Sequence, residues 1–267
     1  MPSHWKTISF FLGIFLLGLN IYGWSQTLRN PVIHQEARGN TGKKELILPL
    51  EKVLQVLEQP DADRGLWLYK LNEVIHKGIA HYWEDEGLDD YHLRVPWAEN
   101  YILAALGRVI PDWFGKWEFF DYRKAVERGV GLCSQQSIIL LQVLARNGIP
   151  AKMLGLSNHR ILTAEVEPGQ WWILDPDFGV VIEADLEAVE ENPGLARIAY
   201  EKEVHSKKDI DNMVRMFELK DKRVEPLSVF YKERYYLEPF TYILLWIIPF
   251  GLMLPRILGK RPTTLQS

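Results

Sequence analysis

The chain of 267 residues holds one cysteine, Cys133. A single thiol excludes an intrachain disulfide and any cysteine-rich zinc site. With no cysteine near the N-terminus, a lipoprotein anchor is excluded as well. Basic residues do not dominate: 31 Lys and Arg stand against 35 Asp and Glu, a net charge of −4. No basic stripe appears either, so a nucleic-acid partner is not expected. Internal repeats and low-complexity tracts are missing. Charge itself is missing from two stretches. Thr7 to Leu28 carries none and centres on "ISFFLGIFLLGLNIYGW"; Pro239 to Pro255, "PFTYILLWIIPFGLMLP", carries none either.

Both stretches read as membrane spans. The first meets the roughly 20 residues a bilayer requires. It lacks the A-x-A cleavage site of a signal peptide, so it reads as an uncleaved signal anchor over 7–28. The second, 239–255, is at the short end of the range, and Pro249 is expected to kink it. Tyr235, Tyr236, Tyr242 and Trp246 would form an aromatic belt at its start. A buried core helix is the alternative reading; Arg256, Lys260 and Arg261 directly behind the stretch favour the span. Two spans put both termini on one side. Lys6 and the three basic residues after the second span favour cytoplasmic termini. Arg29, Arg38, Lys43, Lys44, Lys232 and Arg234 count the other way, but long translocated domains largely escape the charge rule. The expectation is a domain on the outer, periplasmic side of a bacterial plasma membrane.

That domain spans roughly 40–225. A linker leads into a short helix that stops at Pro60. The next helix starts from Asp61 or Asp63 and carries Leu68, Leu71, Ile75 and Ile79 at near-helical spacing. Another is expected to begin at Pro96, and a short one to end at Gly129. After Pro150 the texture changes: "AKMLGL", "RILTAEVE" and "QWWILDPDFGVVIEA" alternate and are rich in β-formers, with "EPGQ" as a hairpin turn. "SKKDIDNMVRMFELKDK" is helical again. Helices first and a small antiparallel sheet second define an α+β domain.

Cys133 opens the helix "SQQSIILLQVLARN", which Gly148-Ile149-Pro150 terminates. Free backbone N–H groups and the helix dipole at such a start favour a thiolate. Gly129 and Gly131 let the backbone turn and leave the sulfur approachable. A thiolate needs a base, and the base an acceptor that orients it. His159 stands just before one strand and Asp175 closes the next. Pairing the strands about the hairpin midpoint sets Arg160 opposite Asp177 and Leu162 opposite Asp175. His159 and Asp175 are then diagonal and within side-chain reach.

These residues carry a family resemblance. "GLCSQQSIILLQVLARNGIPAKMLGL" resembles the transglutaminase-like block in which Gly-x-Cys opens a helix ending in an "R-x-x-G-I-P-A" turn. "HRILTAEVEPGQWWILDPDFG" resembles that family's second block, in which His leads a strand and "W-x-x-x-D-P" follows. The match covers about residues 115–185. It departs in Arg160-Ile161, where the family has Ala-Trp, and in "DPDFG", where "DPT" is commoner. The resemblance implies a papain-like fold with a helical N-terminal part, Cys133 as nucleophile, His159 as base and Asp175 as orienter. Beyond the Cys133 amide, Trp97, Asn100 and Gln135 are the candidates for an oxyanion or substrate donor.

Each residue also has a plainer reading. Cys133 as a core thiol, His159 as a loop residue and Asp175 as a turn residue before Pro176 are each unremarkable alone; only the set of three points to chemistry. Trp171 and Trp172 read as core and rim aromatics. His76, His81, Glu84, Asp85 and His92 suggest a metal cluster, but His76 and His81 are five apart and so off one helical face. They read as surface residues, and neither a metal nor an organic cofactor is expected. The implied function is a membrane-anchored cysteine protease or amidase with a protein or peptide-like amide substrate, such as an envelope polymer. The other class is a catalytically silent interaction module in an envelope assembly.

Overall fold

The computed structural model describes residues 4–30, 48–82, 85–204, 206–219 and 221–258. Arg38, Lys43, Lys44, Glu84, Lys260 and Arg261, weighed above for charge or metal binding, lie outside these. The chain divides into two compact units: Met1–Thr27, Arg94–Trp117 and Tyr236–Ser267 form one, and Leu28–Leu93 with Glu118–Tyr235 form the other.

Among the described residues two helices are long and apolar enough to cross a membrane, His4–Gly23 in the first unit and Lys232–Ile257, which belongs to it from Tyr236 onward. The second of these is assigned without a break through Pro239 and Pro249. A proline has no N–H, so Pro249 leaves the carbonyl of Leu245 without its partner inside the helix. In hydrocarbon an unmet carbonyl costs several kcal/mol. The first helix supplies the remedy. Asn20, a polar residue in an otherwise apolar segment, donates from Nδ2 to the Leu245 carbonyl at 2.6 Å, and the Tyr101 hydroxyl reaches the same oxygen at 3.2 Å. Ser9 likewise donates to the Leu252 carbonyl. The helices are in close contact at Gly13, where a Cβ would lie 2.6 Å from the Pro249 carbonyl oxygen. A small residue with polar groups aimed at backbone carbonyls is how helices associate when both faces are apolar. The remaining segment holds the helix Tyr101–Val109. It is capped by Asn100, not begun by Pro96, which instead opens the preceding turn.

The second unit mixes helices with a small antiparallel sheet, as the composition of its segments predicts. Helices Leu50–Glu58 and Arg64–Gly78 come first, the latter capped by Asp63. Strand β1, Ala80–His81, follows directly and pairs in parallel with β2, Val130–Gly131. Between them in sequence, helix Tyr122–Arg128 ends on Gly129, whose φ of 75° is the left-handed conformation glycine adopts without strain. The cysteine helix, Cys133–Arg146, leads into β3 (Ala151–Leu156), β4 (His159–Glu167), β5 (Gln170–Asp175) and β6 (Val180–Ile182). With β7, Arg223–Glu225, they form a five-stranded sheet in the order β6-β5-β4-β3-β7.

The sheet is buried on both faces. Leu154, Leu156, Ile161 and Ile173 join a core with Val189, Ala199, Tyr200, Met213 and Phe217 of the helices that follow. Alternate residues Met153, Leu162 and Leu174 are fully buried as well. Two helices in this stretch, Leu186–Glu191 and Gly194–Glu203, were not foreseen from sequence. Both are short; the first is capped by Asp185 and the second follows Pro193 directly, so neither shows a long periodic pattern.

The β4–β5 register differs from the expectation. Glu167 pairs with Gln170 at the turn, but from Glu165 onward the pairing shifts by one, so that Leu162 faces Leu174. This β-bulge has a consequence for the site. The unshifted register puts His159 and Asp175 on opposite faces. The bulge sets Ile161 level with Asp175, so that His159, two residues from Ile161, shares its face.

Candidate active site

Cys133 is the first residue of its helix, with Leu132 in extended backbone before it. The turn into the helix is tight. A Cβ on Gly131 would lie 2.5 Å from Cβ of Gln135, so only glycine fits there. The residues after Cys133 fix the helix start. Ser134 donates to the Glu118 carboxylate, and Arg234 pairs with the same group at 2.9 Å. Gln135 exchanges two hydrogen bonds with the Phe119 backbone. One turn on, Ser137 donates to the Arg160 carbonyl at 2.9 Å. Ser137 lies on the same helical face as Cys133 and Arg160 follows His159, so this bond holds the thiol against the histidine.

His159 is buried, and its Nε2 lies 2.8 Å from Asp175 Oδ2. That bond occupies Nε2, and the Cys133 sulfur lies within 4.8 Å of a ring nitrogen of His159. Asp175 is fixed from four directions. Tyr200 donates its hydroxyl to Oδ2 at 2.6 Å, and the backbone N–H groups of Asp177 and Phe178 donate to Oδ1 at 3.0 and 3.2 Å. Burial on its own would lower the His159 pKa. The Asp175 carboxylate and Cys133 outweigh it and hold the imidazole well above its ordinary 6.5. Burial, then the same carboxylate, pushes the Tyr200 phenol well above its usual value. Tyr200 is therefore a fixed proton donor to Asp175. The two residues of the predicted triad that follow Cys133 are thus brought together with it.

The structure adds a second His–Asp pair. Asp177 Oδ1 is 2.7 Å from His81 Nδ1 and accepts from Gln136 Nε2 at 2.7 Å. Burial would raise the Asp177 pKa, but His81, His159 and Gln136 together lower it. Burial would lower that of His81, and Asp177 more than reverses it. His76 Nδ1 meets the Asp177 carbonyl at 2.8 Å, and Asn72 donates to the Val180 carbonyl at 3.1 Å. Asn72 and His76 are four apart on one helix face, which clamps the Asp175–Val180 loop.

This corrects the reading of His76 and His81 as surface residues. Both line the cleft that contains Cys133 and His159, a space of about 530 Å³. The five-residue spacing misled because the helix ends at Gly78 and His81 sits on β1, where helical periodicity no longer applies. Tyr200 gave no sequence signal; it lies in a helix the sequence did not announce.

Trp97, Asn100 and Gln135, the three donor candidates, do not line this cleft. Asn100 caps its own helix and donates to Thr241. Trp97 is exposed and carries Arg108 on its ring face. The Gln135 oxygen is occupied by Phe119 N and by Arg128 Nη2. None of the three is therefore placed to donate to a substrate in this cleft.

Cys133, His159 and Asp177 are all buried, and their sulfur, nitrogen and oxygen atoms lie within 4.8 Å of one another. This is compatible with a Cys–His–Asp triad. Such atoms are also close enough to converge on a metal ion, a property of any compact thiol–imidazole–carboxylate group, so the proximity alone does not choose the chemistry. No protein-family model, curated protein or solved structure matches the chain.

Proposed function

We propose that the chain is a membrane-tethered cysteine hydrolase, of the transglutaminase-like kind its motifs resemble, that cleaves amide or related acyl bonds. The observation that carries this reading is the buried Cys133 sulfur within 4.8 Å of the His159 ring, whose Nε2 is bonded to Asp175, at a glycine-bounded helix start. An ordinary core thiol has no use for a buried imidazole whose far nitrogen is locked by a four-bonded carboxylate. The raised affinity of His159 for its proton supports a thiolate–imidazolium pair.

In the first half-reaction the Cys133 sulfur attacks the carbonyl carbon, and the C–S bond forms as the carbonyl electrons move to oxygen. The tetrahedral oxyanion collapses, His159 gives its proton to the departing amine, and a thioester remains on Cys133. Water, deprotonated by His159, then attacks the thioester and releases the acid. An amine in place of water would make the enzyme a transferase. Throughout, Asp175 keeps the imidazole oriented and offsets its charge. The papain-like core belongs to this proposal, resting on the order helix-borne Cys, then His and Asp on successive strands.

Two apolar helices support membrane attachment, and we place the cysteine-bearing unit on the outer face. An alkaline phosphatase moiety inserted near Glu190 is expected to be active there; fluorescence from a cytoplasm-only reporter at the same site would reverse the orientation. The chemistry is tested by incubating the full-length protein with envelope extract and weighing it intact. A covalent mass addition confined to Cys133 is expected. Persistence of the same addition in Cys133→Ala would remove the proposed nucleophile.

A further inference from the structure

We propose that His81 is the side-chain donor that stabilises the oxyanion formed during attack by Cys133. This rests on the acyl-transfer reading above and supplies the partner that Trp97, Asn100 and Gln135 do not.

The argument starts from the backbone. A thiol at the first position of a helix offers its own N–H to the developing oxyanion, but one donor leaves the charge half met. The second must come from an element that runs beside the helix start. β1 is such an element. It pairs in parallel with β2, His81 in register with Gly131, two residues before Cys133. Hydrogen bonds from Ala80 N to the Gly129 carbonyl and from Tyr82 N to the Gly131 carbonyl, at 2.8 and 3.1 Å, bracket His81 and fix its level. The pairing holds His81 beside the turn into the cysteine helix, and His81, Cys133 and His159 line the same cleft.

The ring is then oriented by chemistry. Nδ1 is bonded to Asp177 at 2.7 Å, so what His81 presents to the cleft it lines is the Nε2 edge. The Asp177 carboxylate at Nδ1 favours the doubly protonated ring, in which the Nε2 edge is a donor. There is also a reason for the pair to exist. An Asp177 carboxylate within 4.8 Å of the reactive sulfur would oppose negative charge on the substrate if it stood alone. Bonded to His81 and Gln136, it becomes the anchor of a cation instead. His76 also lines the cleft, but its Nδ1 meets a backbone carbonyl, that of Asp177, where His81 has a carboxylate to anchor a cation.

Two reagents separate this role from others. Iodoacetamide alkylates the thiolate by displacement at a saturated carbon, and no oxyanion forms. p-Nitrophenyl acetate is attacked at its carbonyl: the S–C bond forms through an oxyanion, the C–O bond breaks, and p-nitrophenolate departs with the electron pair. Both act on the full-length protein in detergent, with Cys133→Ala as the blank. His81→Ala is expected to slow acylation roughly 10²- to 10³-fold while alkylation at the same pH changes by less than about threefold. His81→Gln, which keeps an N–H donor, is expected to recover part of the acylation rate. If His81→Ala lost its cooperative melt, His81→Phe would carry the same comparison. Equal slowing of both reactions would make His81 a support of the thiolate and overturn the inference, as would no change in acylation. A native protein that alkylates at Cys133 but takes no acetyl group would instead sink the acyl-transfer reading itself.

Discussion

The unit that carries Cys133 contains two His–Asp pairs of nearly equal length, 2.8 Å for His159–Asp175 and 2.7 Å for His81–Asp177, and they are built in different ways. The first joins neighbouring strands 16 residues apart in sequence, and Asp175 is secured by a phenol and two backbone amides. The second spans 96 residues, from β1 to the loop after β5, and its carboxylate is shared with Gln136 on the cysteine helix. A heavily bonded acceptor makes its histidine a fixed base. A carboxylate tied between three elements acts as a hub that locates the helix, the loop and the strand around the thiol. In the proposed mechanism proton transfer falls to one pair and charge placement to the other, and substitutions test that division.

Removal of the nucleophile has the largest expected effect. Cys133→Ala should reduce acylation by p-nitrophenyl acetate to the solvent background. Loss of one sulfur at a helix start removes little buried volume, so its Tm should change by no more than about 2–4 °C, the equivalent of about 1 kcal/mol for a domain of this size. Retained acylation in this variant would mean that neither His–Asp pair serves Cys133.

Asp175→Asn comes next. The amide cannot offset the imidazolium and favours the wrong tautomer, so acylation should fall between roughly 10²- and 10⁴-fold. Asp177→Asn should cost less, because it weakens the His81 donor and leaves the His159–Asp175 base in place. If the order is reversed, the two pairs have exchanged roles. The alkylation rate sharpens the point. On the proposed reading, in which His159 is the base for Cys133, the native thiol should react with iodoacetamide at pH 6, and His159→Ala should slow that reaction roughly 10- to 100-fold. His81→Ala should not.

The same contrast explains what could be read from the chain. His159 and Asp175 flank one hairpin, and both strands announce themselves by alternation and the "EPGQ" turn. Their proximity was therefore legible, although the register was not: the extra residue between Glu165 and Glu167 leaves no mark in a pattern of buried residues on both faces. His81–Asp177 was illegible for a different reason. A two-residue strand has no periodicity, and the helix before it made His81 look like a continuation out of phase. Asn20 shows the opposite case. Its polarity in an apolar run is a visible oddity, yet its meaning appears only once Pro249 is set beside it and the Leu245 carbonyl is seen to lack its helical donor. Local pairing was readable, and long-range polar repair was not.

The smallest effect, and the one most specific to the second pair, is on stability as a function of pH. His81 has a folded pKa above its ordinary 6.5, because Asp177 overcomes the lowering due to burial. A raised value means that its contribution is fully present below 6.5 and fades as pH rises through the folded value. Asp177 has a folded pKa below its ordinary 3.8. Its contribution is present above 3.8 and fades as pH falls through the lowered value. Both conditions hold together between about pH 4 and 6.5. In that window Asp177→Asn should melt about 2–4 °C below the native protein, the shift for about 1 kcal/mol, and the gap should narrow toward pH 9. His159 is present in both proteins and its contribution largely cancels in the difference, although His81 and His159 feel each other's charge. Paired melting curves in detergent at pH 5.5 and 9 measure the gap directly. A gap that is constant across this range would mean that the amide for carboxylate exchange acts through shape alone, and that no ion pair holds His81 beside the thiol.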